Sequence, residues 1–589
     1  MKNTFAFLFG ICLLLISCNN KSKKGEGSVE AVAEPYQLKQ TIFYNGEIIT
    51  MEGDEPQYVE AVVEREGQII FVGSQDEAFE KYEDVAKKHN LNGETMMPGF
   101  VEPHIHGSIA ATMLPNEIIA PYDWVLPNET KKGVSGHENY IARITKSINQ
   151  NATEDAIYII WGYHQLWHGE LNREMLNKIA GNKPVGIIHR SFHEIFVNDA
   201  AINMMGINEE EFKDNSQVDW KNGHFYEGGW LALVPRIGNL FFAKDKYLYG
   251  LEQMSQLITK NGITTVADPG FPNSSFELEY NFLKTEMDKK PPYDYYIIPN
   301  GTQLYGMRGN SNEKAKQFSE TLTDSLDTEN IKFLPKQIKL FSDGAIYSQL
   351  MQMKGDYTDG HKGEWMTPLD LFKEQTELYW SDGYKIHVHA NGDLGIQMVV
   401  DNVVELQRKQ PREDHQFTLH HMGYFSDDMA EQIANLGIEA SVNPYYLWAL
   451  ADKYSEEGLG KERGENLVRV NSLVSRDIPV SFHSDFSMAP VEPLTLAWTA
   501  INRVTSQDTK VSQDQRISVF DGMKGITIDA ARTIMLEDKI GSIKEGKQAD
   551  FTILAKNPFK IDPMEIKDIK VKGVVYKGQF HINKVANLK

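Results

Sequence analysis

Short β-type alternation marks both ends of the chain. "TIFYNGEIITM" (41–51) and "AVVEREGQIIFVG" (61–73) set β-branched and aromatic positions around Asn-Gly and Glu-Gly turns, the pattern of hairpins. "GSIKEGKQADFTILA" (541–555) and "IKVKGVVYKGQFHI" (569–582) repeat that texture. Two β-rich ends around a long middle predict one small β domain, a sandwich built from residues 38–97 and 535–589.

The middle has a different rhythm. Short apolar runs are each followed by a stretch able to form a helix. Candidate strands are 99–106, 263–269, 293–299, 336–343, 384–390, 415–421, 438–444 and 478–485. Repeated strand-helix units of this number predict an α/β fold, a (β/α)8 barrel of the TIM type over residues 98–534. The gap between the first two strands is too long for a loop. It holds "AIYIIWGYHQLW" and "PVGIIHRSFHEIFVNDAA", so an inserted subdomain is expected at about 115–250, over the barrel mouth.

The first residues stand outside this pattern. "MKNTFAFLFGICLLLISC" has an early lysine, an apolar run too short to span a bilayer comfortably, and a small residue before Cys18. It reads as a signal peptide over 1–17. "LISC" resembles the lipobox of bacterial lipoproteins, with lipid on Cys18; the alternative is a plain signal peptide with an incidental cysteine. Residues 18–37 are polar, as a flexible tether would be. These features place the protein in a bacterial cell envelope, held to a membrane by its N-terminal lipid alone. Cys12 falls within the signal, so the mature chain has no disulfide.

Composition narrows the partner. The 589 residues are ample for a large core, and 24% charged with 41% hydrophobic is ordinary for a globular protein. A net charge of -22 argues against nucleic acid, which needs clustered Lys and Arg. A small-molecule substrate is expected, with a homodimer open.

Chemistry in such a barrel sits at the C-terminal strand ends, and ionisable residues recur there. His104 and His106 are two apart on the first strand, so both can face the mouth. The fourth strand carries Lys339 in an apolar setting, where a buried charge needs a partner. His387 and His389 share a phase on the fifth strand. His420 and His421 are in opposite phases on the sixth, so only one is expected inside, and His420 is assigned to the helical layer. Asp485 ends the eighth, in phase with His483. Plainer roles compete: His387 as a satisfied core histidine, His483 as packing, Asp343 as a turn former, Asp393 as a helix N-cap.

The set resembles the amidohydrolase superfamily, in its amidohydrolase-3 (YtcJ-like) branch. The order "PGFVEPHIH", "IKLFSDG", "HVHANGD", "LHHMG", "HSDFSMAPVEP" is that branch's order, and "IGSIKEGKQADFTIL" is similar too. The resemblance implies metal ligands at His104, His106, His389, His421 and Asp485. It also implies a metal-bridging carboxylated lysine at Lys339, and substrate contact by His193. Glu102 stands where the family usually has Asp, and His420 where Glu is common. Imidazoles with a carboxylate suit Zn²⁺, in one or two ions. The metal lowers the pKa of a bound water, and Asp485 takes the proton and returns it to a leaving amine. The expected enzyme is a metal-dependent hydrolase of a C–N bond, amide or cyclic amide. A deaminase is the alternative within enzymes, and a non-catalytic surface binding protein is the alternative outside them.

Overall fold

Antiparallel hairpins open the computed structural model, which describes residues 39–583. Gln40–Ile49, Tyr58–Arg65 and Gln68–Gly73 pair in sequence order. Thr95–Pro98 runs parallel to the first of these and antiparallel to Phe551–Leu554, and Val571–Tyr576 and Gln579–Ile582 continue the sheet. Strands from the two chain ends therefore share one sheet of eight strands.

The alternation seen in the sequence explains its two faces. Phe43, Val62 and Met96 join Phe551, Ile553 and Val575 in one apolar cluster, while their neighbours Ile42, Ala61 and Val63 join Phe71 and Ala78 in another. The second face is covered by helix Gln75–Tyr82, whose N-terminus is capped by Ser74. The Phe43 and Phe551 rings meet edge to face at 5.5 Å. Removing residues 541–589 would strip Thr95–Pro98 of its partner strand and uncover Phe43 and Met96, which are 1% and 0% exposed. We expect that truncation to aggregate on expression, measured by sedimentation. Soluble, active protein would show that the two ends are independent.

The eight middle segments each contain a strand. Phe100–Glu102, Ile263–Phe271, Asp294–Pro299 and Ile331–Phe333 form one parallel sheet. Gln337–Phe341, Lys385–Ala390, Thr418–His421, Glu439–Val442 and Val480–Phe482 form a second parallel sheet. Isolated parallel bridges join the two, Asn300 to Lys339 and Ile105 to Phe486. Nearly every residue of these strands is buried, as parallel strands under helices must be. Helices such as Leu369–Ser381, Asp393–Lys409 and Asp427–Asn435 connect successive strands.

Ile331–Phe333 was not expected. It lies before the candidate at 336–343, and Pro335 with a left-handed Lys336, φ 54°, separates it from Gln337–Phe341. Asp393 is also placed differently: Gly392 occupies the N-cap, and Asp393 is the first helical residue, accepting from the Lys354 N–H. Asp343 is not a turn former: it bridges to Trp365, and its carboxylate ties the fourth strand to the end of the fifth by accepting from the N–H groups of Asn391 and Gly392, and from that of Gln352.

Between the first two middle strands, residues 117–226 build a separate mixed sheet of six strands with helices His137–Asn151 and Arg173–Ala180. It bonds to the loops beyond the strand ends. Ser348 Oγ donates to Ser191 Oγ at 2.8 Å, and the Tyr122 hydroxyl donates to the Ala449 carbonyl at 2.5 Å. The signal peptide, tether and Cys18 lie outside the described residues, among which no helix is long and apolar enough to cross a membrane.

Candidate metal centre

Three ligand atoms converge where the first and eighth strands end. His104 Nε2 and His106 Nε2 are 3.2 Å apart, and Asp485 Oδ1 lies 3.4 Å from the first and 3.1 Å from the second. The two-residue spacing puts both rings on one side of the chain, and the Ile105–Phe486 bridge brings Asp485 alongside. Glu102 locks that junction by accepting from the Ser484 N–H at 3.1 Å; burial pushes its carboxyl up to about 8. Glu in place of the usual Asp thus still ties the first strand to the eighth.

His421 stands beside the triad. Its Nδ1 is 3.6 Å from Asp485 Oδ2, 3.2 Å from His483 Nε2 and 3.3 Å from the Tyr446 hydroxyl. The His389 ring centroid is 4.4 Å from that of His421, and its Nε2 meets the Asn391 amide at 2.9 Å. Lys339 is 0% exposed, and its Nζ has no hydrogen-bond partner. Burial lowers it to about 7, toward the neutral amine.

The expectation for His420 is corrected. It points inward, with Nδ1 2.8 Å from His104 Nδ1 and Nε2 2.9 Å from His387 Nδ1. Strict alternation fails because His421 and Met422 take left-handed backbone, φ 75° and 48°, so successive histidines both reach the interior. His387 is a satisfied core histidine, its Nε2 2.9 Å from Gln337 Oε1. The line has one consistent proton order. His387 Nε2–H donates to Gln337, His420 Nε2–H to His387, and His104 Nδ1–H to His420. That order leaves the His104 Nε2 lone pair facing the triad. Burial and the nearby Lys339 hold His104 well below the usual histidine range, so the ring is neutral.

Asp268 is a participant the sequence reading passed over. It lies three residues before the end of the second strand, accepts from the Tyr295 hydroxyl at 2.7 Å and from the Gly107 N–H at 3.2 Å, and lies 3.4 Å from His106 Nδ1. An acid closing "TTVADP", like the other strand ends, was the available signal. Burial opposes charge on His106, but Asp268 and Asp485 together raise it to about 9. A ring held between two carboxylates marks a place that demands positive charge, which a divalent cation meets in place of the proton. Buried neutral imidazoles, carboxylates and an unpartnered amine fit a divalent metal.

His193 comes from the inserted sheet. Its Nδ1 is 2.9 Å from Glu227 Oε2. Burial disfavours its charge, yet Glu227 raises its pKa and Asp485 adds to that, so the ring sits within electrostatic reach of the triad.

An amidohydrolase family model matches residues 89–582. The putative amidohydrolase YtcJ of Bacillus subtilis is 25% identical over 557 residues, covering 91% of this chain and 98% of that protein. The N-substituted formamide deformylase of Arthrobacter pascens is 22% identical over 565 residues, with 91% and 97% covered. Among solved structures, an uncharacterized metal-dependent hydrolase from Pyrococcus horikoshii superposes with a TM-score of 0.68 at 20% identity, covering 89% of this chain and 99% of that one.

Proposed function

Because the chain belongs to the amidohydrolase family, we propose that it is a divalent-metal hydrolase of amide or cyclic amide C–N bonds. The observation that carries this is the approach of His104 Nε2, His106 Nε2 and Asp485 Oδ1 to within 3.4 Å of one another at buried strand ends. The deformylase relative, named for cleaving a formamide, supports an amide C–N bond as the target. In this reading eight of the nine strands of the two parallel sheets close into one (β/α)8 barrel, with Ile331–Phe333 outside the ring; the bridges Asn300–Lys339 and Ile105–Phe486 support closure. The end sheet curls into a sandwich, supported by the Gln68–Gln548 bridge between its distant parts.

His104, His106, His389, His421 and Asp485 hold the metal, zinc by preference of this donor set. When bound, it supplies a Lewis acid for the carbonyl and acidifies water at neutral pH. The chain's own residues do the rest. Asp485 accepts the proton of the attacking water and delivers it to the departing nitrogen. His420 and His387 hold the His104 ring in its ligating tautomer, and Asp268 aligns His106. His193, held by Glu227, contacts the substrate from the inserted sheet. The inserted sheet also limits water at the site. The test is metal analysis by mass spectrometry and hydrolysis of an amide library by protein purified without chelator. Absence of bound metal after supply of Zn²⁺ or Mn²⁺ would overturn the reading.

Lys339 sets the metal count. A neutral buried amine can add CO₂ and release a proton to give an anionic carbamate, and Lys339 so modified would help to hold a second ion. We expect Lys339→Ala to lose about one metal equivalent and to regain activity with added short carboxylic acids, which stand in for the carbamate. Unchanged metal content would make the site mononuclear. At the other end of the chain, lipid on Cys18 tethers the enzyme to a membrane. Cys18→Ser should move it from membrane to soluble fractions or leave it unprocessed, and unchanged fractionation would exclude the anchor.

A further inference from the structure

Two arginines are almost wholly buried, Arg190 and Arg503, each 1% exposed. Arg503 is satisfied: its guanidinium donates to the carbonyls of Val511, Val468, Glu465 and Leu467 at 2.9–3.3 Å. Arg190 is not. Its Nη2 donates to the Met488 carbonyl at 3.3 Å, while Nε and Nη1 have no hydrogen-bond partner. A guanidinium cannot escape by losing its proton. Burying a cation without a counter-ion carries one of the largest penalties in a protein interior.

Two acids of this part of the chain are committed elsewhere. Glu194 is committed to His224 at 2.7 Å, and Glu227 to His193 at 2.9 Å. His164, His168 and His189 around it are kept neutral, chiefly by burial. Among the described residues Arg190 makes no ion pair, and its main companion is the face of Tyr347, 4.2 Å from the guanidinium carbon. The Tyr347 hydroxyl is itself buried and without a hydrogen-bond partner.

These free donors lie beside the metal centre. Arg190 follows strand Val185–His189 and precedes His193 by three residues. The Tyr347 ring meets Tyr446 edge to face at 5.4 Å, and the Tyr446 hydroxyl is 3.3 Å from His421 Nδ1. The Met488 carbonyl that Arg190 touches is three residues past Asp485. Three unsatisfied donors, two of them on a fixed cation, thus sit two rings, Tyr446 and His421, from Asp485.

We propose that Arg190 and the Tyr347 hydroxyl bind a carboxylate of the substrate, so that this enzyme prefers amides bearing a carboxylate group. The inference rests on the hydrolase reading above and deepens it. A carboxylate accepts two parallel N–H bonds from one edge of a guanidinium, Nε with Nη2 or Nη1 with Nη2; Nη2 keeps a second N–H beyond the one given to Met488, and the carboxylate's remaining capacity suits the phenol. It also neutralises the buried cation at the moment of binding. The competing role for Arg190 is packing alone, as a cation on the Tyr347 face that fastens the inserted sheet.

Matched pairs of N-formyl amino acids and their C-terminal carboxamides separate the two, assayed with the metal-loaded full chain. We expect the wild type to favour the free acids by about 100-fold in kcat/KM. Arg190→Gln should collapse that ratio, mainly through KM, and Arg190→Lys should restore part of it. A packing role lowers both members of each pair together and leaves the ratio standing, which would overturn the proposal. If Arg190→Gln does not fold, the wild-type preference decides alone, and its absence is equally fatal. Should neither member be hydrolysed while the amide library is, the formyl group is the wrong acyl group and binding is read instead; should the library fail too, the hydrolase reading fails. Calorimetric titration with the same pairs then decides: tighter binding of the acid sustains the carboxylate site, and equal binding removes it.

Discussion

Replacing His104 or His106 by alanine should leave a folded protein that holds no metal at this site and hydrolyses amides at background rate. The two rings contribute adjacent ligand atoms, 3.2 Å apart, and share Asp485 Oδ1 as a common neighbour. Losing either leaves too few donors in a fixed arrangement to dehydrate and retain a divalent ion. The variants should still differ in their side effects. His104 is 0% exposed and donates into the His420–His387–Gln337 line, so His104→Ala strands a buried His420 nitrogen and costs roughly 1–3 kcal/mol of stability. His106 is part-exposed, and its Nδ1 faces Asp268 at a long 3.4 Å, so His106→Ala should melt closer to the wild type in metal-free form. Mass spectrometry for metal, circular dichroism for fold and a thermal melt check all three statements. A variant that keeps a full metal equivalent would remove its histidine from the ligand set.

Much of this was readable in advance, for identifiable reasons. Buried parallel strands favour continuous apolar runs, so Tyr295–Ile298 within Asp294–Pro299 stands out against its amphipathic helices. Strand ends that carry chemistry interrupt such runs with ionisable residues, which is why His104, His389 and Asp485 could be named together. What escaped depends on backbone angles and distant partners. Strand alternation is a rule for extended backbone, and the left-handed turn at His421 suspends it, which sent His420 to the wrong layer. The break at Lys336 is of the same kind. Asp268 was passed over because one acid before a proline reads as a turn former. Arg190 lies in "GIIHRSF", where nothing local tells whether a counter-ion will arrive from elsewhere; only the folded neighbourhood shows that none of the described residues pairs with it.

Asp485→Asn is expected to separate holding the metal from using it. Asp485 sits on left-handed backbone, φ 52°, which turns its carboxylate back toward the first strand. One oxygen faces both strand-one histidines and the other faces His421 Nδ1 at 3.6 Å. Asparagine has the same shape and keeps one carbonyl oxygen, so the four histidines and that oxygen can still grip an ion. It has no basic site for the proton of the attacking water and no proton to return to the leaving nitrogen. Turnover should therefore fall by about 10²–10⁴, the usual weight of one general acid-base group. Metal content should remain near that of the wild type. The buried carbonyl and amide also lack the negative charge that His106 demands, so metal affinity should weaken to some degree. Assays at saturating metal keep that loss from being mistaken for the loss of the base. Asp485→Ala, lacking the oxygen as well, should lose both metal and activity. Turnover in Asp485→Asn within a few-fold of the wild type, at full metal occupancy, would take the proton-transfer role from Asp485 and require another base.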